Sequence, residues 1–155
     1  LEYYRGIATH YYSSSQTFNS SNMVGLSGVV FVDGNVNISG TYTGQALIVA
    51  TGIIKVSGNV TAGDLTTDAI ALISPKAIKI TGNPLIHGLI YSHSVSQDAG
   101  MTAGGNVEIY GAVVSDVVTT NGGIIVRYRD VWGGLPIPGK GKTQWARFSW
   151  EQHAF

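Results

Sequence analysis

Three sets of residues in this chain could do chemistry: a lysine-bearing glycine loop, four histidines and a scatter of carboxylates. Gly134 to Lys140 spells G-x-x-x-x-G-K, most of a loop that wraps a phosphate in backbone N–H groups. Such a loop needs Ser or Thr next, to hold Mg²⁺, and a helix N-terminus behind it. Here Gly141 follows, and Pro136 and Pro138 lie inside the loop. The other register, ending Gly141-Lys142-Thr143, places Pro136 where its first glycine belongs. The sequence therefore speaks against a nucleotide site.

The histidines are His10, His87, His93 and His153. His87, His93 and Asp98 could in principle hold a metal or form an acid–base pair, but their spacing matches no ligand motif. Hydrolysis of a glycan needs two acids facing each other across one bond. Asp33, Asp64, Asp68, Asp98, Asp116 and Asp130 are dispersed, and the one close pair, Asp64 and Asp68, falls in a turn-like stretch where solvated acids are ordinary. The Asn-x-Ser/Thr triplets at Asn19, Asn37 and Asn59 read as structural or incidental. The expectation is a chain without catalytic, cofactor-binding or metal-binding residues, needing no cofactor.

Composition narrows the class further. Charged residues make up 12% and hydrophobic ones 44%, too apolar a balance for disorder. Nine basic residues offset nine acidic ones, so no global field favours nucleic acid or anionic lipid. There is no cysteine, which excludes disulfides and thiolate metal sites. No run reaches the ~18 apolar residues of a membrane span. Lacking an initial methionine or a signal pattern, the chain reads as a processed product or a trimmed piece of a longer one.

What positions these side chains is a repeat. Gly-Asn recurs at Gly34-Asn35, Gly58-Asn59, Gly82-Asn83 and Gly105-Asn106, at spacings of 24, 24 and 23. Val32, Val56 and Ile80 each stand two places before the glycine, and Val36, Val60 and Val107 follow three of the pairs. The segment GNPLIHGLIYS from Gly82 matches GNVEIYGAVVS from Gly105, with His87 in the place of Tyr110. Each copy reads as short strands with one buried and one wet face. No single copy could bury its apolar side alone, so the copies must stack.

This predicts an all-β fold, a right-handed parallel β-helix (β-solenoid) of about four to five coils, with an antiparallel meander as the alternative. The four asparagines should form a ladder at one corner, where Gly and Asn tolerate left-handed angles. Lys55 and Lys79 should lie exposed, one coil apart. A second register is visible, since Ala46-Leu47-Ile48-Val49 resembles Gly28-Val29-Val30-Phe31 at an offset of 18.

The single domain divides into a helical or irregular cap (1–24), the solenoid (25–131) and an extended capping tail (132–155). Tyr3, Tyr4, Ile7, Ala8, Tyr11 and Tyr12 recur at helical spacing in the first part, as a cap or as an exposed aromatic patch. Trp145 to Trp150 alternate as a closing strand would. The loop His93 to Ala103, between copies, is the best candidate for binding.

The runs VFVDGNVNISG (30–40), KITGNPLIHGLIYS (79–92) and NVEIYGAVVS (106–115), with Leu135-Pro136 and Phe148-Ser149-Trp150-Glu151, resemble the β-helical C-terminal domain of PilX-like pilus-assembly proteins. The short glycine-rich alternation is also similar, more distantly, to bactofilins. The first resemblance implies a non-enzymatic, extracellular or cell-surface domain of a type IV pilus or related appendage. Its partners would be other appendage subunits or a surface glycan, with no nucleic acid and no membrane contact by this fragment. An upstream membrane helix is the corresponding expectation. The alternatives are a bactofilin-like polymer-forming scaffold and a polysaccharide-binding adhesin.

Overall fold

The computed structural model describes residues 1–93 and 100–129. It is a parallel β-solenoid of about six turns, somewhat more than the four to five expected. A short helix, α1 (Glu2–Gly6), is followed by β1 (His10–Tyr12) and β2 (Gln16–Phe18). The next turns are β3 (Gly28–Val32), β4 (Val36–Ile38) and β5 (Thr41–Tyr42), then β6 (Gln45–Ala50), β7 (Ile54–Ser57) and β8 (Thr61–Ala62). They continue as β9 (Ala69–Ser74), β10 (Ile78–Gly82), β11 (Leu85–Ser92), β12 (Met101–Ser115), β13 (Val118–Thr120) and β14 (Gly123–Arg127).

All strand pairings among the described residues are parallel. One long ladder runs β1-β3-β6-β9-β11-β12-β14 and a second runs β2-β4-β7-β10-β12-β13. A short third ladder joins β5, β8 and the start of β11. The expected helical reading of the N-terminal stretch holds only for Glu2–Gly6: Tyr11 and Tyr12 already belong to the first turn, paired with Phe31 and Val32.

The register departs from the 24-residue repeat. Gly28 pairs with Ala46 and Val36 with Ile54, an offset of 18, and Asn106 pairs with Gly123, an offset of 17. The basic turn is therefore 17–18 residues, and longer spacings arise from insertions at corners. The loop Gly63–Asp68 is one: Leu85 pairs with Thr61, but Gly88 pairs with Ile70. Another lies between Ser92, which pairs with Ser74, and Met101, which pairs with Ile78. The first turn is also longer, His10 pairing with Val30 at an offset of 20.

The Gly-Asn ladder is corrected accordingly. Asn59, Asn83 and Asn106 do share a corner, and the Asn106 amide donates to Asn83 Oδ1 at 3.4 Å. Asn35 sits elsewhere, its Oδ1 accepting from Ile53 N at 2.8 Å. Among the described residues only glycines adopt left-handed angles, so the asparagines act through their amides. The corner needs Gly58, Gly82 and Gly105, with φ of +78°, +94° and +99°.

The lumen is filled by Val32, Val36, Val56, Val60, Ile80 and Val107, all buried as the repeat requires, with Ile48, Ile54, Leu72 and Ile78 among them. Full burial of such a side chain stabilises by about 1.5–3 kcal/mol, which is why stacked turns hold without any disulfide. The expectation of one wet face fails for the first ladder. Val29, Phe31, Leu47, Val49, Ala71, Ile73 and Leu89 point away from the lumen yet are buried, in a second apolar cluster that includes Tyr4 of α1. Their continuous runs, such as Ala46–Ala50, are the pattern of strands buried on both sides.

Candidate functional site

The side chains suited to chemistry are dispersed along this column. His87 is buried in the first ladder, in register with Tyr110, their rings 5.0 Å apart. Its Nδ1 has no hydrogen-bond partner among the described residues. Burial pushes its pKa below the ordinary value, and the charge of Arg129 acts in the same direction. His93 is exposed and sits 2.9 Å from the carboxylate of Asp116. Six residues of extended chain, roughly 20 Å, separate the two histidines. Asp98, the glycine-rich segment Gly134 to Lys140 and the segment Trp145 to Trp150, expected as a closing strand, lie outside the described residues. Among those described, no three His, Asp or Glu side chains are grouped to hold a metal.

The carboxylates are engaged locally. Asp68 accepts from Gly44 N at 2.9 Å and from Asp64 N at 2.8 Å, which ties the Gly63–Asp68 insertion to the column. Asp64 accepts from the Thr66 hydroxyl at 2.6 Å and its backbone N–H at 2.7 Å, and these bonds hold its carboxyl below the usual range. Asp33 takes the Arg5 guanidinium at 3.1 Å and the Thr51 hydroxyl at 3.0 Å. Glu108 accepts from Arg127 Nε at 3.3 Å, and hydrogen bonds from Tyr110 and Arg127 lower its pKa.

Two buried polar devices escaped sequence reasoning. Where the Gly63–Asp68 insertion leaves the ladder, the Tyr42 hydroxyl reaches across it to the backbone of His87. At another corner Ser74, Ser92 and Ser115 stand in register. Ser74 Oγ donates to Gly52 O at 2.8 Å, and Ser92 Oγ donates to Lys76 O at 3.1 Å. The serines could have been found by aligning Ile73-Ser74, Tyr91-Ser92 and Val114-Ser115 at the ends of their strands; Tyr42 leaves no local signal.

The candidate loop His93 to Ala103 is corrected in part. Met101 to Ala103 are strand residues of β12, with Met101 and Ala103 buried in the lumen. Residues 94–99 lie outside the described set.

The open polar surface is the outer face of the second ladder. Thr17, Asn37, Lys55, Lys79, Thr102 and Thr119 are stacked in register along it, one per turn. Lys55 and Lys79 are both exposed and one turn apart, as the sequence predicts. Beside them Asn35, Asn37, Ile53 and Lys55 line a groove of about 160 Å³. Ser57 and Thr81 form a second, exposed pair on the same face.

No helix among the described residues is long and apolar enough to cross a membrane. Comparison of the chain with family models, with curated proteins and with solved structures finds no match in any of the three.

Proposed function

We propose that this chain is a non-enzymatic structural and presenting domain, an extracellular or cell-surface subunit of a type IV pilus or related appendage. The observation that carries the structural half is how the polar groups are used. Tyr42, Asp68, Ser74 and Ser92 spend their hydrogen bonds on backbone groups, Asp68, Ser74 and Ser92 reaching the adjacent turn and Tyr42 the turn beyond it. Such bonds make a stiff column whose side faces and insertions can vary freely. The appendage half rests on the resemblance of residues 30–40, 79–92 and 106–115 to the β-helical domain of PilX-like proteins, which requires a column of this kind.

The test is the protein's place in the cell. An antibody against the domain should label appendages on intact cells of the source organism, and deletion of the gene should reduce their number or length. Label confined to permeabilised cells would contradict the reading.

One observation favours the bactofilin-like alternative. The last turn among the described residues, β13 and β14, exposes apolar side chains, with Val118 and Ile125 each 48% accessible. An open strand edge can template another chain. Size-exclusion chromatography over a wide concentration range separates the two: a monomer throughout supports the appendage subunit, and concentration-dependent filaments support the polymer.

A further inference from the structure

We propose that the outer face of the second ladder binds an acidic polysaccharide laid along the column, with Lys55 and Lys79 as its cation pair; this rests on the presenting-domain reading and supplies it with a ligand class. The two lysines stack in register on β7 and β10, and the exposed Lys76 precedes Lys79 by three residues. All three lysines among the described residues therefore fall within two adjacent turns. Neither Lys55 nor Lys79 has an ion-pair partner among the described residues. The described carboxylates are committed elsewhere: Glu2 and Asp33 with Arg5, Asp64 and Asp68 in their loop, Glu108 with Arg127, and Asp116 with His93. None of them is on this face. Like charges directly opposite on a sheet are unfavourable, so a bridging anion relieves a repulsion already present.

The rest of the face fits a sugar rather than another polyanion. Thr17, Asn37, Ser57, Thr81, Thr102 and Thr119 offer hydroxyls and an amide, neutral groups that can both donate and accept. The groove between Asn35, Asn37, Ile53 and Lys55 adds a recess with one apolar wall. Turns repeat every ~4.8 Å, so an extended polymer along the column meets an equivalent polar position at each turn. The row holds no aromatic side chain on which a nucleobase could stack. It holds no large apolar residue to enter a bilayer interface.

The experiment measures binding of the 155-residue chain to polygalacturonate at low salt, with uncharged dextran, a single-stranded DNA oligonucleotide and phosphatidylserine vesicles as comparisons. The expected result is binding to polygalacturonate over all three, weakened about tenfold or more in the Lys55→Gln/Lys79→Gln double variant with its circular dichroism unchanged. An Asn37→Asp variant, which sets a carboxylate beside Lys55, should weaken it as well. No binding by the wild type, equal binding by the double variant, or equal binding to DNA or vesicles would each overturn the proposal. The recovered polymer's length is read in the same samples. Shortened chains would count against the non-enzymatic reading while leaving the lysine face intact as a binding site.

Discussion

The Tyr42 hydroxyl is bonded to both backbone polar groups of His87, accepting from its N–H at 2.9 Å and donating to its carbonyl at 3.2 Å. The two residues belong to turns separated by a third. In that intervening turn the chain leaves the ladder at Gly63 and returns at Ala69, so His87 finds no backbone partner below it. Tyr42 is fully enclosed, and burial drives its phenol pKa well above the ordinary value, so it remains neutral and able to donate. Its side chain fills the gap and closes the hydrogen-bond account.

Tyr42→Phe should therefore cost more than a surface hydroxyl. Leaving a buried N–H and C=O unpaired costs roughly 2–4 kcal/mol together. Urea unfolding should show a lower midpoint with an unchanged slope. Tyr11→Phe, at an exposed ring stacked on Phe31, should shift it by less than about 0.5 kcal/mol.

The corner glycines separate two costs. A Cβ on Gly58 meets open space, so Gly58→Ala carries the left-handed backbone penalty alone, about 1–2 kcal/mol. A Cβ on Gly82 would stand 2.6 Å from the Gly58 carbonyl oxygen. Gly82→Ala should lose roughly 3 kcal/mol, because backbone in a packed column cannot move aside. Equal thermal destabilisation of the two variants would contradict the stacked corner.

These glycines also show how far the sequence could be read. The parallel column, the lumen valines and the exposed lysines follow from apolar alternation and stacking, which are local and repeat faithfully. The Gly-Asn spacing misleads because two different lengths coincide. Gly34 and Gly58 are 24 apart in sequence but occupy different corners, whereas Gly58 and Gly82 are 24 apart because six inserted residues intervene on one turn. Insertions conserve the direction of the column while shifting the count, and nothing local marks them. Tyr42 was illegible for the same reason, since its role exists only opposite an insertion in another turn. The buried outer face of the first ladder was legible in Val29-Val30-Phe31-Val32, though alternation had been assumed.

His87 makes stability depend on pH. Its folded-state pKa is depressed by burial, below the ordinary value of 6.5. Below pH 6.5 the unfolded chain takes up a proton that the folded chain refuses, so stability falls as pH drops and levels once the folded-state pKa is passed. The urea midpoint should decline as the pH is lowered through the unfolded-state value of 6.5. His87→Phe retains His10, His93 and His153 and should flatten that decline. An identical slope in the variant would show that His87 is not the group responsible.

Cross-strand charge on the lysine face gives a fourth outcome. Lys79→Glu sets opposite charges in register with Lys55 and should stabilise by about 0.2–1 kcal/mol, an effect that fades in high salt. A destabilised variant would mean that Lys79 makes a contact the exposed row does not provide.

The register of the column underlies every assignment above, including the lysine row, and the cysteine-free chain allows it to be measured directly. Spin labels placed through Asn37→Cys and Lys55→Cys should couple strongly, since these residues are partners about 5 Å apart at Cα. Labels placed through Asn35→Cys and Asn59→Cys, which a 24-residue turn would make neighbours, should show no such short-range coupling. Strong coupling in the Asn35/Asn59 pair with none in the Asn37/Lys55 pair would contradict the 18-residue turn and the polar face built on it.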